Sequence, residues 1–399
     1  MKPENTLAQR EAEGGQSHRA RARGIRAGLE AALQRYWSGD PAIPAIPALP
    51  DPDLKRATRT KDRGLLMRMV HPALLALSWI VSTVAQRKRH RIALAKAKGK
   101  AHPKARVVVI GNLIVGGTGK TPLVLATADE LSRRGWKVGL IARGHGSRTM
   151  AESAQRLPSP IPSGAAATYG DEPVLLAQAS GLPVAAGHDR GAALKALLDG
   201  ADCDVVLSDD GLQHEGLDRD IEIAVFDGRG AGNGRVLPAG PLREPLFNAL
   251  LLDAVLLNGR QVPSPLTHSR VFRFTVEAQA CHRLDGKEQL PLSEAARSWK
   301  GERIHALAAI GQPQRFFDDL LSAGLKPSCW ALADHAPPDP SWVEGLAAER
   351  ILMTSKDAVK CGSWPAALLA RCYEVTSRAT IDPDFIDWLE ERLRGSQMD

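Results

Sequence analysis

Val107-Val-Val-Ile-Gly-Asn-Leu-Ile-Val-Gly-Gly-Thr-Gly-Lys-Thr-Pro122 is an apolar run that breaks into glycines and ends in Gly119-Lys120-Thr121. Its apolar residues predict a buried strand, its glycines free backbone N–H groups to turn toward an anion, and Pro122 suits the first turn of a following helix. The stretch therefore reads as a phosphate-binding loop, in which Lys120 reaches the β- and γ-phosphates of a nucleotide and the Thr121 hydroxyl ligates Mg²⁺. The spacing departs from the usual G-x-x-x-x-G-K-S/T: Ile114 stands where the first glycine belongs, and Gly111 lies three residues upstream.

Downstream of the loop, strands and helices alternate. Candidate strands are residues 106–110, 137–141, 183–186, 204–208, 221–226 and 253–257, with helices after Pro122, Asp171 and Asp189. This alternation predicts an α/β fold built on a mostly parallel sheet with helices on both faces. After Asn258 the pattern changes. Residues 271–276 and the turn-bearing 283–288 predict a hairpin or connecting ribbon, and alternation resumes with strands near 303–309, 350–353 and 372–376 and an amphipathic helix near 382–394. The expected division is an extension over 1–63, an apolar helix and basic segment over 64–105, a phosphate-loop domain over 106–265, a ribbon over 266–300, and a second, smaller α/β domain over 301–399.

Upstream, the charge balance shifts. Residues 1–106 carry 22 Lys and Arg against 8 Asp and Glu, a balance of +14 that leaves −7 for the rest, so the front quarter is built to meet something anionic, lipid headgroups or nucleic acid. Residues 1–27 lack apolar periodicity and read as a disordered tail, and the prolines of 41–53 predict an extended spacer. The apolar stretch 64–85 is followed at once by Arg87-Lys88-Arg89-His90-Arg91. Its uninterrupted part, 72–85, spans roughly 21 Å as a helix against about 30 Å for a bilayer core, which predicts an interfacial anchor on an anionic leaflet. A buried core helix is the alternative. Five cysteines without C-x-x-C spacing argue for a reducing compartment and against a disulfide framework or structural zinc.

Four further segments carry chemistry-bearing side chains. Asp204-Val-Val-Leu-Ser-Asp209-Asp210 is a strand ending in two acids, the place from which a carboxylate holds Mg²⁺ near a loop threonine, although an exposed acidic turn gives the same pattern. Asp171, before Glu172-Pro173, reads first as a helix N-cap and second as a general base. The Gly/Pro-rich loop with Arg229, Arg235 and Arg243 offers bidentate phosphate contacts, and Glu244 either joins a metal shell or pairs with Arg243. Nothing local decides whether His335 is structural or catalytic, and Lys356 and Lys360 follow a strand from which basic groups would approach a nucleotide or the acidic cleft.

Taken in order, several segments resemble the tetraacyldisaccharide 4'-kinase family, the lipid A 4'-kinases of Gram-negative bacteria. They are the loop at 111–122, Gly170-Asp-Glu-Pro173, Ser208-Asp-Asp-Gly-Leu-Gln-His214, Gly232-Asn-Gly-Arg-Val-Leu-Pro-Ala-Gly-Pro-Leu-Arg-Glu-Pro245, Ile310-Gly-Gln-Pro-Gln-Arg-Phe-Phe317, Asp334-His335 and Ser355-Lys-Asp-Ala-Val-Lys360. Gln312 stands where the family pattern is expected to carry Asn. The resemblance implies an ATP- and Mg²⁺-dependent kinase acting on a lipid disaccharide at the cytoplasmic face of the inner membrane, held there by an N-terminal helix on an anionic surface. It implies that the backbone of Ile114, Val115, Gly116, Gly117, Thr118 and Gly119, with Lys120 and Thr121, cradles phosphates. Thr121, Asp209, Asp210 and Glu244 would then position the metal, Asp171 with His335 would activate the sugar hydroxyl, and Arg243 would stabilise transferring charge. Arg190, Gln213 and His214 are implied as substrate contacts. A membrane-associated GTPase is the rival, disfavoured because Ser355-Lys356-Asp357 lacks the Asn-Lys-x-Asp spacing and Ser208 replaces the first acid of Asp-x-x-Gly. The long apolar stretch interrupting the basic front argues against nucleic acid, and no protein partner is expected.

Overall fold

The computed structural model describes residues 60–97, 104–144, 153–261 and 264–395, together with Trp37 and Ser147. The tail at 1–27 and the spacer at 41–53 lie outside these residues.

The Val107 run becomes β1 (Arg106–Gly111), and its valines alternate between two apolar layers, Val108 and Ile110 on one side and Val107 and Val109 on the other. Around it lie β2 (Val138–Ala142), β3 (Gln155–Arg156), β4 (Val184–Ala186), β5 (Val205–Asp209), β6 (Ile221–Phe226) and β7 (Ala254–Asn258). The chain continues through β8 (Val271–Arg283), β9 (Gln289–Pro291), β10 (Ile304–Ala308), β11 (Ser328–Ala331), β12 (Arg350–Thr354) and β13 (Cys372–Ile381). All join one sheet in the order β11-β10-β12-β13-β8-β7-β6-β1-β5-β2-β4-β3, with β9 paired to β8. Pairing is parallel except at β8–β13, β3–β4 and β8–β9. The sheet is thus continuous from one half of the molecule to the other, joined where β8 pairs in parallel with β7 and antiparallel with β13.

Helices cover both faces, as the alternation predicts. On one side α2 (Lys120–Arg133), α3 (Asp171–Ser180) and the last helix, Pro383–Gly395, contribute Leu123, Val124, Leu131, Val174, Leu176, Phe385 and Leu389 to the core. On the other, α4 (Arg190–Leu198) packs through Ala193, Leu194 and Leu197. Burying each such side chain contributes about 1.5–3 kcal/mol. Register then places the site. Ile110 pairs with Asp209 and Gly111 with Ala224, so β1, β5 and β6 present their carboxyl ends side by side, the edge where parallel α/β sheets bind ligands.

The N-terminal apolar stretch differs from expectation. α1 is longer than the apolar stretch 64–85 and takes in the basic cluster, running unbroken from Thr60 to Ala97 with Pro72 inside it. Proline costs a helix interior about 3 kcal/mol, and good helix formers on both sides outweigh it here. Among the described residues no helix is long and apolar enough to cross a membrane. Ser78, Arg89 and Ile92 face inward and are buried, while Leu77, Trp79, Ile80, Val84 and Leu94 are exposed. The usual polarity of a surface helix is therefore partly inverted. Ser78 Oγ donates to Val236 O at 2.7 Å and Lys96 Nζ lies 2.6 Å from Asp253, so polar contacts seat the helix near both ends of its docked part.

Candidate active site

The loop between β1 and α2 has its carbonyls tied down from outside. Arg229 Nη1 donates to Val115 O at 2.9 Å and its Nη2 to Gly117 O at 3.4 Å; Asn112 Nδ2 donates to Gly116 O at 3.1 Å and Asn258 Nδ2 to Thr118 O at 2.9 Å. In a trans peptide the following N–H points the opposite way, so the N–H groups of Gly116, Gly117, Thr118 and Gly119 turn from these donors toward the loop's own concavity. Gly119 takes φ +87° at the start of α2, and a Cβ there would lie 2.4 Å from Asn258 Nδ2, so only glycine fits. From behind, Val115 N donates to Pro241 O and Arg243 N to Leu113 O, which binds the 235–243 loop to the phosphate loop. From the other half of the sheet comes Gly311, where an added Cβ would lie 3.3 Å from Gly116 Cα.

Thr121 Oγ1 donates to Asp209 Oδ2 at 3.0 Å, and the buried Asp209 Oδ1 has no hydrogen-bond partner. Burial and then the neighbouring Glu172 push the Asp209 carboxyl up to about 6 against the pull of Lys120. A cation at Thr121 and Asp209 would relieve that arrangement. Among the described residues no group of three or more His, Cys, Asp or Glu could hold a metal alone. Thr121 and Asp209 offer the one or two protein oxygens that Mg²⁺ takes alongside phosphate and water. Asp210 sits at φ +55° with both oxygens 2.8 Å from Arg243 Nη1 and Lys120 Nζ at 3.7 Å. Burial opposes its charge, yet Lys120 and Arg243 hold the carboxyl far below its usual range.

Asp171 opens α3 after Gly170. It does not cap the helix; its Oδ1 takes the Glu172 N–H at 2.9 Å and its Oδ2 lies 2.8 Å from His335 Nδ1. His335 has φ +61° and is held by its N–H on Ala309 O. Lys360 Nζ lies 3.7 Å from Asp171 Oδ2 and 2.9 Å from Asp357 Oδ1, while Lys356 Nζ lies 2.6 Å from Glu172. Burial would raise the Asp171 carboxyl, but His335, Lys356 and Lys360 hold it at about 2. The hydrogen bond to Asp171 raises His335 against the effect of burial. Asp171 and Glu172 come from one half of the chain, and their partners His335, Lys356 and Lys360 from the other.

A family model for tetraacyldisaccharide-1-P 4'-kinase matches residues 70–394. The chain belongs to that family. It is 43% identical over 302 residues to the tetraacyldisaccharide 4'-kinase of Bordetella petrii, covering 72% of this chain and 82% of that one. Against the namesake from Dechloromonas aromatica it is 40% identical over 333 residues, covering 82% and 93%. The solved "apo" form of LpxK from Aquifex aeolicus, in complex with ATP, superposes with a TM-score of 0.64 at 25% identity, covering 81% of this chain and 99% of that one.

Within this kinase-family chain four side chains sit otherwise than the sequence suggests. Glu244, expected at the metal or on Arg243, has both oxygens engaged elsewhere: Arg89 reaches them at 3.1 and 3.2 Å, Gln213 Nε2 at 2.8 Å and Asn248 Nδ2 at 2.9 Å. Arg190, expected on substrate, is buried and braces the end of β5, donating to Gly187 O at 2.9 Å and Asp209 O at 3.1 Å; burial brings it down to about 10. Gln213 is a bridge, giving its amide N–H to Asn112 O and Glu244 and accepting from Arg243. His214 Nε2 lies 3.0 Å from His188 O at the start of α4, and burial lowers its pKa. Sequence reasoning missed Arg89, Asn112, Glu172, Asn258 and Asp357 as parts of the site. For Arg89 a signal existed: it falls on the same stripe as Ser78, Ala85, Ile92 and Lys96, which repeats at helical spacing.

Proposed function

We infer that the chain transfers the γ-phosphate of ATP to the 4'-hydroxyl of a tetraacyldisaccharide 1-phosphate at the cytoplasmic face of the inner membrane. The observation that carries this reading is the Asp171–His335 pair, delivered by opposite halves of one sheet to the edge that bears the phosphate loop. Phosphoryl transfer needs positioning and charge neutralisation more than covalent chemistry, and the residues divide along those lines. The loop N–H groups and Lys120 hold the β- and γ-phosphates. Thr121 and Asp209 would hold Mg²⁺, which would supply neutralising charge to the transferring phosphate when bound. Asp171, kept ionised by His335, Lys356 and Lys360, accepts the hydroxyl's hydrogen bond and takes its proton as the new O–P bond forms and the β,γ-bridging bond breaks. Arg243, beside Asp210, faces the developing charge.

Membrane attachment is supported by the inverted helix. The outward Leu77, Trp79, Ile80 and Val84, followed by the exposed Arg87, Lys88, His90 and Arg91, match an interfacial element on anionic lipid. Purified protein in detergent micelles with labelled ATP, Mg²⁺ and the lipid disaccharide monophosphate tests the assignment. Lipid-dependent transfer that falls by about 10²- to 10³-fold in Lys120→Ala is expected; no lipid-dependent transfer, or transfer undiminished in that variant, rejects the kinase reading.

A further inference from the structure

We propose that Arg89 is a positioning residue for phosphoryl transfer, linking α1 to the catalytic loop through Glu244. This deepens the kinase reading and rests on it. Arg89 leaves α1 inward and only 4% of it is exposed. Its Nη1 donates to Glu222 at 2.7 Å, its Nε and Nη2 grip Glu244 in a fork, and Nη2 also reaches Leu212 O at 3.4 Å. From Glu244 the contacts run on without a break. Gln213 Nε2 donates to Glu244 Oε1, Gln213 Oε1 accepts from Arg243 Nη1 at 3.3 Å, and that same Nη1 holds both oxygens of Asp210. One guanidinium on the N-terminal helix thus stands two side chains away from the arginine assigned to the transferring charge.

Charge balance explains why the link matters. The buried cluster holds two carboxylates, Glu222 and Glu244, against two guanidiniums, Arg89 and Arg219, with Arg219 paired to Glu222 at 3.2 Å. Without Arg89 the Glu244 carboxylate stays buried and unpaired, which proteins tolerate poorly. Its nearest remaining cation in sequence is Arg243, the preceding residue, and capturing Arg243 would draw it from Asp210. Arg91, two residues on and about 200° round the helix, cannot substitute, since it is exposed and pairs with Glu215 at 3.1 Å.

The test uses the full chain in mixed micelles, where the substrate needs no bilayer. Wild-type turnover is measured first, because its absence would remove the kinase reading itself. Arg89→Met is expected to lower kcat by about 10- to 100-fold, the usual effect of losing an outer-layer partner, with the lipid KM changed by less than about twofold. Ile92→Ala, buried on the same helix face but outside this chain of contacts, is expected to lower Tm comparably while keeping kcat. Pairing Arg89→Met with Glu244→Gln removes the orphan charge and is expected to restore part of the lost kcat and to fold where the single variant fails. Equal kcat losses in Arg89→Met and Ile92→Ala at matched Tm, a loss confined to the lipid KM, or no recovery in the double variant would each overturn the proposal.

Discussion

Replacing His335 by Gln and Asp171 by Asn, singly and together, isolates the contact on which the proposed mechanism depends. Asp171 is displaced from its ordinary 3.8 to about 2, which corresponds to about 2.5 kcal/mol favouring its charged form. Burial opposes that shift, and the His335 hydrogen bond together with Lys356 and Lys360 outweighs it. The sign follows from both partners. The lowered Asp171 contributes stability above its unfolded pKa, lost as pH falls through about 2. The raised His335 contributes stability that is full below its unfolded value near 6.5 and lost as pH rises through the higher folded value. Coupling in a double-mutant cycle, read from urea midpoints, should therefore be largest between about pH 4 and 6.5 and decline as pH rises through the raised folded value of His335. Each single variant should also lose about 10²- to 10⁴-fold in kcat, the double variant losing no more than the worse single. A coupling energy that stays constant from about pH 5.5 to 9, or multiplicative kcat losses, would refute the argument that the two act as one charged pair.

Lys120→Ala should lower kcat by about 10²- to 10³-fold, measured at saturating ATP, because a preorganised charge on the transferring group is lost. Gly119→Ala should abolish ATP binding in equilibrium titration, since φ +87° costs a side chain about 1–3 kcal/mol before the collision with Asn258 is counted. Trp79→Ser with Ile80→Ser should release the protein from anionic vesicles in a sedimentation assay, each lost apolar side chain weakening partition by about 1.5–3 kcal/mol, while turnover in micelles stays near wild type.

The parallel sheet was legible because its central strands are short apolar runs buried on both sides, as in Val205–Asp209 and Ile221–Phe226. β3 has two residues and β9 ends in a proline, so neither carries enough pattern to be read. Half of β13 was also missed. Beyond Val375 its Thr-Ser-Arg sequence has exposed positions, and a register shift at Thr376/Ser377 breaks the alternation where it pairs with β8. That pairing joins the two halves into one sheet, a long-range relation that no local window contains. At the site, the proximity of Lys120 and Thr121 was readable from spacing because one strand-loop-helix unit fixes them locally, whereas Asp209, 88 residues from Thr121, was marked only by its place at the carboxyl end of β5. Asp171 and His335 lie 164 residues apart, and only the resemblance joined them. Glu244 was misplaced because its partner sits in what reads as a solvent-facing basic cluster, and the turn of a helix decides which of five cationic neighbours points inward.

The buried Arg89 also orders the birth of the molecule. Its contacts with Glu222 and Glu244 span 133 and 155 residues, and at synthesis rates of about 5–20 residues per second the second partner leaves the ribosome roughly 8–30 s after it. Throughout that interval the nascent helix has an unneutralised cation on one side and an uncovered apolar strip on the other. The buried anchor of α1 can therefore close only after both of its partners have been made.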